Sequence, residues 1–199
     1  QKQTKDFFEK FSQEWKKSVQ SISDDSVNMI KQRNNFVENC SKNISSDSKT
    51  LDVGCGTGDL VINLLQNGFD AYGIDFSSEM IKTAKNSAQN ISLSSEHFHE
   101  ISFFNFNSNI VFELISANGF IEYISPSQLE DFLKKSNQLL SKDGLLVFGS
   151  RNRLFNVFSM NSFTLDEIES KNIDSLIRES TIFNSCTNMQ EVLNNFEPI

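Results

Sequence analysis

The stretch Lys49-Thr50-Leu51-Asp52-Val53-Gly54-Cys55-Gly56-Thr57-Gly58-Asp59-Leu60 decides the fold of this 199-residue chain. Leu51 and Val53 end a short buried strand, and three glycines follow at alternate positions. Leu60-Val61-Ile62-Asn63-Leu64-Leu65 then opens an apolar run of helical period. A strand, a glycine turn and a helix in that order build a ligand site at the carboxyl edge of a parallel sheet. Glycines let the backbone turn tightly and approach a ligand with no Cβ in the way. The helix start adds N–H groups that have no intrahelical partner. The spacing narrows the ligand. A dinucleotide fingerprint, Gly-x-Gly-x-x-Gly, needs its third glycine at position 59, but Asp59 stands there and the glycine is at 58. Asp52, a carboxylate just ahead of the loop, has little use beside a pyrophosphate and suits a cationic ligand.

The acid-x-Gly-x-Gly-x-Gly pattern from Asp52 to Gly58 resembles the first motif of the class I S-adenosylmethionine-dependent methyltransferases. That resemblance implies a Rossmann-like α/β fold, a parallel sheet in the order 3-2-1-4-5 with helices on both faces, and an N-terminal helical cover. It implies S-adenosylmethionine as the cofactor, held by Asp52, Gly54, Cys55, Gly56 and Gly58. For Cys55 the plain alternative is a small residue filling a tight turn.

A formal net charge of −8 argues against a general nucleic-acid or anionic-membrane binder. No apolar run is long enough to span a bilayer and none reads as a signal peptide. Cys40, Cys55 and Cys186 are far apart, odd in number and without metal-ligand spacing, the usage of a reduced cytoplasmic setting. A chain of this length supports one domain with a sizeable core.

Ahead of the glycine motif, Phe7, Phe8, Phe11 and Trp15 fall at helical spacing, and Val27, Ile30, Phe36 and Val37 suggest a second apolar face. Asp24 and Asp25 read as cap residues between them. The resemblance implies that these helices cover the cofactor cleft, with Trp15 either hanging over it at the acceptor or simply packed in the core.

Beyond the loop, Ala71-Tyr72-Gly73-Ile74-Asp75 reads as a second strand ending in a carboxylate. Such an acid can accept both hydrogen bonds of a ribose diol; otherwise it caps the following helix, a task open to Ser77 as well. Phe76 is then placed against the adenine ring. Ile91 to Ser95 reads as a third strand, and a gap-free comparison with the family puts His97 where an Asp or Asn usually meets the adenine amino group, with the backbone around Phe98 as the alternative. His97 and His99 lack a third partner at metal-ligand spacing, so no metal is expected.

Val111 to Ser116 reads as the fourth strand, followed by Ala117-Asn118-Gly119-Phe120-Ile121-Glu122-Tyr123. In the family this loop passes beside the methionine part of the cofactor, which implies contacts from Ala117 and Asn118. The Asn/Asp-Pro-Pro-aromatic signature of base amino-methyltransferases is absent. Glu122 and Tyr123 are candidates for a catalytic base or an orienting group, or else pack at a helix start. Pro126 to Leu140 reads as a helix with Leu129, Phe132, Leu133 and Leu140 on one face, and Lys142-Asp143-Gly144 as a turn into a fifth strand, Leu145 to Gly149. Arg151 follows at the edge where acceptors bind. Its planar fork suits phosphate or carboxylate, and the alternative is a structural salt bridge. Ser150 to Phe158 resembles methyltransferases of sugar and surface-polysaccharide biosynthesis.

The expected organisation is a helical cover over residues 1–45, a cofactor-binding core over 46–158 and a C-terminal helical segment over 159–199, in which Thr164 to Glu167 begins a helix in the manner of a capping box. No β-rich runs are visible for the last two strands usual in this fold. The expectation is that C-terminal strands are missing and that the chain is a piece of a longer protein. The function expected is methyl transfer to the oxygen or nitrogen of a small, anionic acceptor such as a sugar or nucleotide-linked sugar, without nucleic-acid or membrane partners. The alternative is a cofactor-binding module or inactive subunit of a larger enzyme.

Overall fold

The computed structural model describes residues 29–150 and 162–185. The first helical run with Trp15, the Asp24-Asp25 cap and Arg151 lie outside the described residues. Two compact units result, Gln1–Ser150 and Arg151–Ile199.

The first unit is built on β1 (Lys49–Val53), whose last four residues are all buried. A strand buried on both faces belongs in the middle of a parallel sheet, and there β1 pairs in parallel with β2 (Asp70–Asp75) on one side and β4 (Phe112–Asn118) on the other. With β3 (Phe98–Glu100) and β5 (Leu140–Gly149) the order is β3-β2-β1-β4-β5, as the family resemblance implied. Among the described residues the unit also has helices α1 (Met29–Ser41), α2 (Asp59–Gln66), α3 (Ser78–Gln89) and α4 (Pro126–Leu139). One apolar cluster gathers Val37, Val61, Leu64, Ile81, Ala84 and Phe98. The other gathers Leu51, Val53, Ile74, Phe103, Ile115 and Phe132. Leu51 and Val53 share a face because strand side chains alternate.

Several boundaries differ from the sequence reading. Ile91 to Ser95 is not a strand. Leu93 N donates back to the carbonyl of Ala88, and Ser92 takes a left-handed φ of 62°, so the chain turns off the end of α3. A 3-10 turn at Ser95–His97 follows, and β3 begins only at Phe98. The Lys142-Asp143-Gly144 turn is absorbed into β5. Phe112 pairs with Leu140 but Leu114 with Leu145, so β5 bulges between these pairs. Helix α4 has its expected Pro126 in the first turn and a full capping box of Ser125 and Gln128, but it exposes Leu133. Phe36, assigned to the apolar face of α1, is 60% exposed, while Val37 is fully buried.

In the second unit, α5 (Ser162–Glu169) and α6 (Ile173–Ser185) are joined by a short turn. Helix α5 starts two residues before Thr164, which therefore lies within the helix. Asn172 Nδ2 donates to Glu167 Oε2 at 3.0 Å across the turn.

Candidate functional site

The glycine loop emerges from β1 at the carboxyl edge of the sheet, and the end of β2 holds it there. Gly54 N and Cys55 N both donate to the carbonyl of Ile74, at 2.8 and 3.0 Å. Gly56 N donates to Asp75 Oδ2 at 3.0 Å, and the other oxygen of that carboxylate accepts from Ser77 N at 2.8 Å. Asp75 thus ties the loop to the start of α3, while Ser77 itself caps that helix through Met80 N. Each carboxylate oxygen retains further acceptor capacity, so this bracing is compatible with a diol. Burial pushes the Asp75 carboxyl up, against the hydrogen bonds from Ser77, Gly56 and Phe76, which favour the ionised form.

All three loop glycines have positive φ. At Gly58 the need is doubled: φ is +81°, and an added Cβ would lie 2.7 Å from Phe98 Cε1 and 2.8 Å from Ala84 Cβ. Gly58 also occupies the N-cap of α2 with no side chain closing the helix start. Cys55 is buried, and a Cβ on Gly73 would meet its Sγ at 2.8 Å, the small-filler alternative. Burial raises the Cys55 thiol well above its ordinary pKa, so it is no nucleophile.

Asp52 is 7% exposed, and Ser116 Oγ on β4 donates to its Oδ1 at 2.6 Å. Burial raises its pKa to about 7; the Ser116 bond opposes the rise, and the charge of Asp75 adds to it. Asp52 and Asp75 are both buried beside the glycine loop, and among the described residues no basic side chain offsets their charge.

The remaining expected residues divide. Phe76 is half-buried at the end of β2, next to Asp75. His97 is a correction. Because β3 begins at Phe98, opposite Gly73, His97 sits at its amino end, with its ring 5.4 Å from that of Tyr72. The carboxyl edge of β3 carries Glu100 instead, in register with Asp75 and exposed. Phe98 is 1% exposed, so its ring supports Gly58 from beneath and does not line the cleft. Ala117 is fully buried in the core. The Asn118 amide donates to the carbonyl of Arg33 at 3.2 Å. Glu122 is not a free carboxylate, since Arg33 Nη2 lies 3.0 Å from its Oε1. Tyr123 is exposed. Nothing in the apolar periodicity of α1 points to Arg33, which pairs with Glu122 far along the chain. No group of three or more His, Cys, Asp or Glu among the described residues is arranged to hold a metal.

A family model described as a methyltransferase domain matches residues 28–180. Carboxy-S-adenosyl-L-methionine synthase of Campylobacter fetus is 30% identical over 135 residues, covering 65% of this chain and 53% of that protein. The enzyme of the same name from Nautilia profundicola is 31% identical over 145 residues, covering 69% of this chain and 61% of its own length. The chain therefore spans little more than half of these relatives. Among solved structures, an S-adenosylmethionine-dependent methyltransferase from Clostridium acetobutylicum is similar with a TM-score of 0.57 at 25% identity, covering 76% of this chain and 60% of that one.

Proposed function

Because this chain belongs to the methyltransferase-domain family, whose cofactor is S-adenosylmethionine, we propose that it is the cofactor-binding core of an enzyme that methylates an oxygen or nitrogen of a small-molecule acceptor. The observation that carries this reading is Asp52, a buried carboxyl held at about 7 with no cation beside it in the described structure. A cationic ligand relieves that cost, and a pyrophosphate does not.

In this reading Asp75 accepts from the ribose diol while bracing the loop, Phe76 lies on the adenine face and Glu100 meets the adenine edge. Asp52 faces the cationic amino-acid end, and the loop after β4 runs beside it. When bound, the cofactor supplies a methyl group already made electrophilic by its sulfonium. The chain's own work is then alignment and exclusion of water. Glu122, paired with Arg33, and the exposed Tyr123 both stay candidates to orient an acceptor. An anionic sugar acceptor anchored by Arg151 and covered by Trp15 is the acceptor half of the proposal, and it rests on the sequence alone. No helix among the described residues is long and apolar enough to cross a membrane.

The names of the relatives favour a second reading, in which S-adenosylmethionine itself takes a carboxyl group from a carboxyl-donating second substrate and leaves carrying it. Incubating the full-length protein with S-adenosylmethionine, once with candidate acceptors and once with candidate carboxyl-donating acids, followed by mass spectrometry, separates the two. S-adenosylhomocysteine with a methylated acceptor supports methyl transfer, and a carboxylated nucleoside supports the synthase reading. Tight binding with neither product is the signature of a binding module.

A further inference from the structure

We infer that Arg33, on the covering helix α1, is a positioning residue that sets the wall of the cofactor cleft by holding both ends of the turn Asn118–Glu122. At one end its main-chain carbonyl accepts from Asn118 Nδ2 at 3.2 Å. At the other its Nη2 pairs with Glu122 Oε1 at 3.0 Å, the two side chains being only 27% and 15% exposed. Between them Gly119 makes room for the guanidinium: its φ is +71°, and an added Cβ would lie 2.8 Å from Arg33 Nη1. Gly119 N donates to the carbonyl of Gly149 at 3.1 Å, which fastens the turn to β5.

The next residue is Phe120. Its ring lies 3.5 Å from where a Cβ on Gly54 would stand, so it walls the first glycine of the loop. It packs on Phe103, Phe104 and Phe132 with centroid separations of 6.1, 6.2 and 5.4 Å. A ring that touches the glycine loop is thus carried on a turn whose two ends are held by one residue of another element. Removing the Arg33 guanidinium takes away a part-buried contact that fixes the Glu122 end of the turn. Here the part free to move is the turn, and Phe120 moves with it.

The inference rests on the cofactor reading of the cleft, and the test separates the two. S-adenosylhomocysteine binding is measured by calorimetry on the full-length protein and on its Arg33→Ala, Arg33→Lys, Glu122→Gln and Arg33→Ala/Glu122→Gln variants, with melting temperatures in parallel. Arg33→Ala and Glu122→Gln should each weaken binding about tenfold, the double variant no further, since the pair acts as a unit. Arg33→Lys should recover part of the loss. Affinities within about twofold of the parent, with lowered melting temperatures, overturn the inference and leave the pair a packing contact. Should Arg33→Ala fail to fold, the nearly isosteric Glu122→Gln decides alone. If the parent does not bind S-adenosylhomocysteine, the cofactor reading itself falls and this inference with it.

Discussion

Ser116 Oγ donates to Asp52 Oδ1 over 2.6 Å, joining β4 to the central strand β1 at the point where the glycine loop departs. Among the described residues no other hydrogen bond reaches the Asp52 side chain, and this one does not offset burial: the carboxyl rises from 3.8 to about 7. Ionising such a group in the free protein costs on the order of 4 kcal/mol. A fixed cation nearby returns part of that, so ligand charge and the protonation of Asp52 are linked.

The first prediction follows from that linkage. A cationic ligand prefers ionised Asp52, so affinity for S-adenosylmethionine should rise with pH through about 7 and level off above it. Binding below that point should release up to about one proton per site, visible by calorimetry in buffers of different ionisation enthalpy. Stability runs the other way. A carboxyl raised in the folded state contributes most when both states are protonated, and that contribution is lost as pH climbs from 3.8 to about 7. Asp52→Asn should therefore abolish the pH dependence of binding and stabilise the free protein at pH 8. A pH-independent affinity in the parent would refute the assignment of the cation to Asp52.

Asp75 should behave differently because its oxygens already accept from Gly56 N and Ser77 N. Asp75→Ala removes a charged acceptor worth roughly 1.5–3 kcal/mol to a ligand, or about tenfold or more in affinity. It also frees two backbone donors, Gly56 N in the loop and Ser77 N at the start of α3. Burial raises the carboxyl of Asp75, so its removal gives some stability back. The expectation is a large loss of cofactor affinity by calorimetry with only a modest fall in melting temperature. The reverse pattern assigns Asp75 to the scaffold.

Residues whose role is set by the local chain were legible in the sequence. The strand, glycine turn and helix around β1 carry their geometry in a dozen residues, and Ser125-Pro126 announces α4. What escaped depended on distance. The start of β3 is decided by how α3 ends, with Ser92 in a left-handed conformation and Leu93 bonding back to Ala88, and no glycine marks that turn. Placing the strand too early carried His97 to the wrong end of the sheet. Arg33 and Glu122 stand 89 positions apart, so neither periodicity nor motif joins them. The one local sign was Gly119, alone in a loop.

The third glycine gives a stability prediction. Gly58→Ala places a methyl group 2.7 Å from Phe98 Cε1 and 2.8 Å from Ala84 Cβ, at a backbone φ of +81°. Overpacking of this kind costs about 1–3 kcal/mol, and the left-handed backbone adds roughly another 1–2. Phe98 has no space to retreat into, being fully enclosed in its cluster. Denaturant unfolding should show the loss, and a smaller residue in Gly58→Ala/Phe98→Leu should recover part of it. Full stability in the single variant means that the loop can shift outward.

His97 gives the last prediction, a test of where β3 begins. Its Nδ1 is buried without a hydrogen-bond partner, and its ring lies against Tyr72, whose hydroxyl donates to Asp70 at the amino end of β2 at 3.2 Å. The proposed cofactor site is at the opposite edge, where Asp75 stands in register with Glu100. Replacing His97 by Ala should leave the affinity for S-adenosylhomocysteine within about twofold of the parent, because the proposed site does not extend to the amino edge. Removing a buried, unpartnered ring nitrogen offsets part of the lost packing, so the change in melting temperature should also be small. Glu100→Ala should weaken the same binding measurably if the carboxyl end of β3 reads the adenine edge. A large loss of affinity in His97→Ala, with Glu100→Ala unaffected, restores the earlier strand position and removes Glu100 from the site.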